Sequence, residues 1–554
     1  MSLERASLNW KGWGRPEAAA SFSPARAQWM IEELGRRLGS VLTPNPSRAE
    51  LSEVKLPPPR LSESILARLR GACGEAAVRT DAATRVTHAL GRSLPDLFRL
   101  RRGEIESAPD AVVAPADEAA VVAVLRIAAE CQLAVVPVGG ASSVVGGVEP
   151  HLAPGQAGSI ALDTTRLDAV IRIDGQSGLA TFGAGIDGPA LEAALAGHGL
   201  TLGHFPQSFE HSTLGGWVAT RSSGQLSDRY GAIDELLVAV RLVTPEGVIR
   251  TATVPRSATG PDLNQLVLGS EGTLGVIVEA TVRVAPAPES SDERAILFRS
   301  FHDGVEAVRE LVRGRAGLSL LRLSDGAETG LSRLQRHDPE KRIDPVDWVF
   351  SGLARLGYRD DSAALLYGAE GGAGAVRAAV SRARSVARAH GGVPLGRSPG
   401  RSWRRERFRT PYLRDWMLDH GVAVDTFETA FSWGALEGGH ESVMRVIRDA
   451  AERHSGGGFA MTHLSHSYLD GACLYFTVLY PVDASREVSQ WTAIKRDVTD
   501  AILSAGGTLS HHHGVGSDHR PWMETEKGSL GLAALRSLKG ALDPAGIMNP
   551  GKLL

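Results

Sequence analysis

Cysteine is scarce: Cys73, Cys131 and Cys473 are the only three in 554 residues, odd in number and far apart. That excludes a disulfide framework and a cysteine zinc site, and it fits a reducing compartment. Long apolar runs are missing too. No segment approaches the roughly 20 uninterrupted apolar residues that span a bilayer, and the opening MSLERASLNWKGWG lacks the apolar heart of a signal peptide. Charge of one sign is also lacking, because 60 basic residues face 63 acidic ones for a net charge of −3. No nucleic-acid footprint is present, so the expected partner is a small molecule. The expected location is the bacterial cytoplasm, at most peripheral to a membrane, and a homodimer is the default assembly.

Glycine, by contrast, is plentiful at 63 residues. At about 100 to 200 residues per domain the length implies roughly three to four units. Residues 1–105 read as helices with breaks, ARAQWMIEELGRRLG being interrupted downstream by Pro57, Pro58 and Pro59. From residue 106 to 286 strand and helix patterns alternate. A second α/β region follows the Pro-rich VAPAPESS and covers 287–505, with 506–554 as a C-terminal segment. At the end of the second region SREVSQWTAIKRDVTDAILSAGG places Val488, Trp491, Val498 and Ile502 on one helical face before two glycines stop it.

The glycines cluster after strands. In VVPVGGASSVVGG they let backbone N–H groups converge on an anion, with Ser142 and Ser143 adding donors; a plain surface turn reads equally well. Gly183, Gly185 and Gly188 spell GxGxxG, yet no strand ending in an acidic residue follows about 20 positions later, which favours a strand-to-helix turn over a dinucleotide site.

A third stretch, GHFPQSFEHSTLGGWVATRSSGQLSDRYGAIDELLVAVRLVTPEG, is followed by LVLGSEGTLGVIVEATVRV. With PVGGASSVVGG these resemble the flavin domain of the vanillyl-alcohol oxidase (PCMH) type. NWKGWG, PYLRDWMLDHG, DTFETAFSW, YLDGACLYF and HHHGVG, in that order, narrow the resemblance to the alkyldihydroxyacetonephosphate synthase family over nearly the whole chain. The implied fold is α+β: a helical N-terminal region, a two-subdomain FAD-binding domain, a substrate-binding α/β cap with an antiparallel sheet, and a C-terminal segment returning the histidine loop to the flavin.

The resemblance also implies how FAD is held. Pro137, Val138, Gly139, Gly140, Ala141, Ser142, Ser143 and Gly146 form the pyrophosphate turn. Pro206, Gln207, Ser208, Ser212, Thr213, Gly215 and Gly216 form a second contact. Thr220, Ser223 and Gly224 lie beside the isoalloxazine, and Glu271, Gly272, Gly275 and Ile277 on the adenine side. Some relatives attach FAD through a histidine near the first turn; none stands there, so the cofactor is expected to be non-covalent.

The implied reaction exchanges the acyl chain of an acyl-dihydroxyacetone phosphate for a fatty alcohol, forming an ether with no net electron transfer. Flavin N5 holds the dihydroxyacetone phosphate unit after a proton leaves C1. The substrate thus has a phosphate head and a fatty chain. Tyr475 is the expected acid/base, although on CLYFTVLY alone it reads as a core aromatic. Arg414 is expected on the acidic head; its bland alternative is a salt bridge with Asp415 or Asp419. Arg322 is expected at the substrate or just behind it, and His204 in the site. His511, His512 and His513 are expected to face Tyr475, where imidazoles could stabilise phenolate. A zinc site would need His463 and His466, which are three apart in a predicted strand and so on opposite faces; no metal is expected. CLYFTV lacks an aromatic expected in eukaryotic members, and no peroxisomal address is present. An FAD-dependent oxidase or dehydrogenase of a 2-hydroxy acid is the alternative, since fold does not fix function.

Overall fold

A continuous apolar run suits a strand buried on both faces, whereas alternation leaves one face for something else. Both kinds occur in the computed structural model, which describes residues 5–47, 49–334 and 351–554. The run LAVVPV is the last strand of the first sheet, buried because the C-terminal tail covers its outer edge. Strands β1 (Val78–Arg79), β2 (Ala111–Val113), β3 (Leu133–Val138) and β4 (Gly158–Asp163) take the order β1-β2-β4-β3, parallel except for β1. Helix Glu118–Cys131 covers them, with Val121, Val124, Leu125 and Ala128 inward and Asp117 capping its start by accepting from Ala120 N at 2.8 Å.

The second sheet is antiparallel. It contains β5 (Val170–Asp174), β6 (Leu179–Gly183), β8 (Leu237–Thr244), β9 (Gly247–Arg250) and β10 (Val276–Arg283) in the order β5-β6-β10-β8-β9, and beside it β7 (Leu200–Thr201) pairs with β11 (Ala285–Pro286). The GxGxxG runs from the end of β6 into helix Gly188–Ala196 and is a strand-to-helix turn; a Cβ on Gly185 would lie 1.9 Å from the Thr164 carbonyl oxygen.

The third sheet has seven strands, all antiparallel: β12 (Ser290–Phe298), β13 (Leu320–Ser324), β14 (Ala363–Gly371), β15 (Val393–Gly396), β16 (Val422–Ser432), β17 (Phe459–Ser467) and β18 (Gly471–Pro481), ordered β15-β12-β14-β13-β17-β18-β16. One face meets helices Phe301–Arg313, Ala373–Ala389, Leu436–Ser455 and Glu487–Ser504 in the largest apolar core. In the last of these Trp491, Ile494, Val498 and Ile502 are buried, while Val488 at its start is exposed. The other face is left open to a cavity.

The N-terminal helices divide between the halves. Helix Glu63–Cys73 joins the core of the first sheet through Leu66 and Leu69, and β1 enters that sheet. Leu94, Leu97 and Phe98 join the large core, whereas Leu34 and Leu38 of helix Pro24–Leu38 pack on Met417, Met461 and Leu479.

The C-terminal tail returns to the first sheet: Ile547 O accepts from Val135 N and Asn549 N donates to Val135 O, both at 2.8 Å. Lys539 Nζ ties this tail down, reaching Thr273 O at 2.8 Å, the Asp543 carboxylate at 2.8 Å and Met548 O at 2.9 Å. Lys539→Met strips a buried carboxylate of its cation and should lower the unfolding free energy by about 3 kcal/mol. Urea melts measure this, and an unchanged midpoint would show that the tail is held without the ammonium.

Candidate active site

Alternation decides which side chains of the third sheet face the cavity, a space of about 1090 Å³. In CLYFTVLY, Leu474, Phe476 and Val478 enter the helical core, and Tyr475, Thr477 and Leu479 face the cavity. Across the strands Glu428 of β16 and His463 of β17 stand directly opposite Tyr475 of β18. The His463 ring stacks on the phenol at 4.9 Å. Register shifts between Ser465 and Ser467, and His466 adopts φ +48°, the mark of a β-bulge. That bulge returns His466 to the cavity side, against the opposite-face expectation. Its ring lies 5.3 Å from that of His511 and 5.1 Å from that of His512.

His512 and His513 line the cavity. His511 stands behind them, with Nε2 2.7 Å from Tyr468 Oη and Nδ1 2.9 Å from His512 Nδ1. Their backbone is held by Glu428, which accepts from His511 N, from His512 N at 3.1 Å, from His513 N at 2.8 Å and from Ser510 Oγ at 2.7 Å. Glu271, expected on the adenine side, turns its carboxylate to the same loop and accepts from Val515 N at 2.6 Å and Gly516 N at 2.7 Å. Glu428, Cys473, His511 and His512 bring potential metal-ligand atoms within 4.8 Å of one another, but the backbone N–H groups already occupy both Glu428 oxygens.

Burial lowers the pKa of each loop histidine, and of His463 and His466, so these imidazoles are neutral at neutral pH. Burial also pushes the Tyr475 phenol up to about 12, against the opposing pull of Thr426 and Arg414. The expected phenolate is therefore not the resting form. The wall presents a protonated phenol beside neutral imidazoles, a donor next to acceptors.

Arg414, on helix Thr410–Asp419, donates Nη1 to Arg92 O at 3.1 Å and lies 5.9 Å from the Trp13 ring centroid. Its Nε and Nη2 are buried without a partner among the described residues. Neither bland salt bridge forms: Asp415 accepts from Trp13 N at 2.5 Å, and Asp419 pairs with Arg101. Two idle guanidinium N–H groups at a cavity wall suit a bidentate anion. Arg322 also lines the cavity, but it pairs with Glu328 at 2.7 Å, and Glu328 in turn lies 3.1 Å from His463 Nδ1. Burial raises Glu328, yet His463 and Arg322 outweigh it and hold the carboxylate below its usual range.

His204 does not reach the cavity. It is 0% exposed, its Nε2 lies 2.8 Å from Ser222 Oγ, and its ring lies 4.9 Å from that of Trp217. The turn it occupies packs into the core of the second sheet, which sequence position alone did not reveal.

Most residues expected to hold FAD line one stretch of the cavity, including residues 137–143, Thr213, Gly216 and Ser223. Two do not. Gly146 faces Ser517 and Asp518, and Gly224 packs on the backbone of His204 and Phe205. The first turn fits a diphosphate: Ala141 has φ +52°, and the amides of Gly139, Gly140, Ala141 and Ser142 have no hydrogen-bond partner among the described residues. Thr213 caps helix Leu214–Thr220 by accepting from Gly216 N at 3.3 Å, so a helix start stands beside that turn. Part of the lining is apolar, with Phe22, Met30, Leu331, Leu413, Met417 and Met461, four of which pack in one cluster.

Gly140→Ala would set a Cβ 1.9 Å from His211 O and reshape the turn. The purified variant should retain about a tenth or less of the wild-type flavin, read as absorbance per protein, because a strain of about 1.4 kcal/mol is already a factor of ten. Full flavin content would remove this turn from the cofactor site. His204 has a folded pKa of about 3 against 6.5, depressed by burial. Below pH 6.5 the unfolded chain takes up a proton that the folded chain refuses, so stability is lost on acidification. His204→Gln should flatten the stability slope between pH 6 and 5 by ~1.4 kcal/mol per pH unit; parallel curves for both proteins would contradict it.

Comparison with known proteins agrees with this geometry. Residues 109–253 match the family described as FAD binding domain, and 287–553 match the C-terminal domain of FAD linked oxidases. The chain is 32% identical to alkyldihydroxyacetonephosphate synthase of Trypanosoma brucei brucei, over 99% of its own length and 92% of that protein's. It is 30% identical to the Dictyostelium discoideum enzyme of that name, over 99% and 93%. A solved structure of an alkyldihydroxyacetonephosphate synthase superposes with a TM-score of 0.85 at 29% identity, covering 99% of both chains. A 4-ethylphenol oxidase from Gulosibacter chungangensis shares the fold at a TM-score of 0.67 and 17% identity, covering 90% of this chain and 98% of its own. With its FAD-binding domain of the PCMH type, its antiparallel cap sheet and full-length identity at this level, the chain belongs to the alkyldihydroxyacetonephosphate synthase family of FAD-dependent enzymes.

Proposed function

We propose that this protein exchanges the acyl chain of an acyl-dihydroxyacetone phosphate for a fatty alcohol, the acyl group leaving as a carboxylate and the alcohol oxygen forming the ether. The observation that carries the reading is Arg414, with two unpartnered buried nitrogens in a cavity whose lining includes an apolar cluster. A phosphate would satisfy those donors, and a chain would lie along the apolar lining. Bound FAD, held by residues 139–143 and the Thr213 helix start, supplies the covalent chemistry of the exchange. His512 or His513, neutral, takes the proton from the carbon beside the ketone. Tyr475, protonated, donates to the departing carboxylate oxygen. Phe22, Met30 and Met417 exclude water along the chain.

Work as a cytoplasmic homodimer touching a bilayer belongs to the same reading. Helix Ser398–Glu406 lines the cavity with Ser402 and Trp403 and leaves Arg401 and Arg405, one turn apart, exposed to solvent, where anionic headgroups would attract them.

Purified FAD-loaded protein given palmitoyl-dihydroxyacetone phosphate and labelled hexadecanol should yield labelled ether without hydrogen peroxide. Tyr475→Phe should cut kcat by about 10² to 10⁴-fold. Arg414→Lys should raise KM for the phosphate substrate by about tenfold, since an ammonium cannot replace the fork. Absence of ether, with a 2-hydroxy acid instead reducing the flavin under anaerobic conditions, would establish the oxidoreductase alternative.

A further inference from the structure

The histidine loop is anchored at both ends by buried carboxylates that come from different halves of the molecule. Glu428 belongs to the seven-stranded sheet and accepts from three successive amides, those of His511, His512 and His513. Glu271 belongs to the turn before β10 and accepts from the next pair, Val515 N and Gly516 N. The amide between them, Gly514 N, donates to Ser510 Oγ at 3.1 Å, and that hydroxyl donates to Glu428. Every amide from 511 to 516 is therefore engaged, five of the six directly by the two carboxylates.

These are not ordinary buried ion pairs. Among the described residues neither carboxylate has an arginine or lysine within 4.0 Å; Glu428 has only the His512 and His513 rings, each at 3.7 Å. Burial without a cation is costly unless aligned N–H groups replace water, and the loop's backbone does so. The geometry is specific as well. Gly514 at φ +91° and Gly516 at φ +55° turn the amides in two directions, and a Cβ on Gly516 would lie 1.9 Å from Val145 O. Glu271 itself has φ +49°, a left-handed conformation that persists only when its surroundings impose it; Asn549 Nδ2 donates to its carbonyl at 2.7 Å.

We infer that Glu428 and Glu271 are paired positioning residues: they grip one loop from two halves of the protein, so that the imidazoles of His512 and His513 keep their place at Tyr475 only while both grips hold. Loss of either end frees the whole run 511–516. The consequence for turnover rests on the proposed function, but the grip itself does not.

Amide hydrogen exchange on FAD-loaded wild type, Glu428→Gln, Glu271→Gln and the double variant tests the grip without reference to activity. Glu428→Gln should speed exchange about tenfold or more not only at 511–513 but also at Val515 and Gly516, and Glu271→Gln should do the converse. In the ether assay each single variant should lose kcat on the order of 10²-fold with KM nearly unchanged, and the double variant should lose far less than the product. Exchange that quickens only beside the substituted residue, or losses that multiply, would overturn the pairing. Should Glu428→Gln fail to fold, Ser510→Ala removes one of its donors and should still quicken exchange at Val515; unchanged exchange there would likewise overturn it. Coupled exchange without any ether product would uphold the grip and count against the proposed function alone.

Discussion

The site depends on the two-residue period of an antiparallel sheet. Glu428, Tyr475 and His463 form one row across β16, β18 and β17, and only because each points to the same side can a carboxylate, a phenol and an imidazole share a wall. The opposite face carries Phe427, Phe476 and Leu464 into the helix-covered core. A slip of one residue in β18 would exchange these faces, placing Tyr475 in hydrocarbon and Phe476 in the cavity. Core packing thus sets the register, and the register sets the chemistry. The bulge at His466 is the one local exception, adding a second imidazole where strict alternation would have hidden it.

Burial then determines the protonation states. The same desolvation that keeps the phenol protonated keeps the imidazoles neutral, so acid and bases coexist without neutralising one another. Charge is confined to places where something answers it. Glu428 is answered by backbone N–H groups, Glu328 by Arg322, and Asp415 by Trp13 N. Arg414 is the conspicuous remainder, since part of its fork is answered only by Arg92 O. Buried donors left idle cost stability of about 1 to 3 kcal/mol each, the kind of expense found where a ligand completes the set.

The fold class was legible through the resemblance that several motifs carry together, whereas locally the glycine turn read equally well as a surface turn and Tyr475 as a core aromatic. Glycines after an apolar strand, a Thr before LGGW and alternation in CLYFTVLY each state a backbone requirement within a dozen residues. Tyr475, Arg414, Arg322 and the histidine triplet could be named, since their segments are distinctive. What could not be read was anything requiring a partner far along the chain. Glu428 lies in a conspicuous DTFETAFSW, yet its bonds to His511, His512 and His513 exist only after β16 meets the C-terminal segment. Nothing local distinguishes His204, which is buried against Trp217, from His463, which faces the cavity, because each is a histidine beside apolar residues. His466 was misplaced for a simpler reason: a bulge inserts one residue, and no glycine announces it.

Both ends of the described chain converge on the cavity, and this explains why distant motifs act together. Trp13 arrives from the N-terminal segment, hydrogen-bonds Asp415 across 402 positions and places its ring by Arg414. Gly14 makes that approach possible, at φ +56° and with Tyr412 Oη where a Cβ would stand. From the other end Asn549 donates to Gly147 O and Glu271 O, linking the phosphate turn to the residue that holds the histidine loop. Arg414, the histidine loop and the glycine turn are thus each held by contacts that reach them from a chain end, remote in sequence from the sheets that carry the rest of the site.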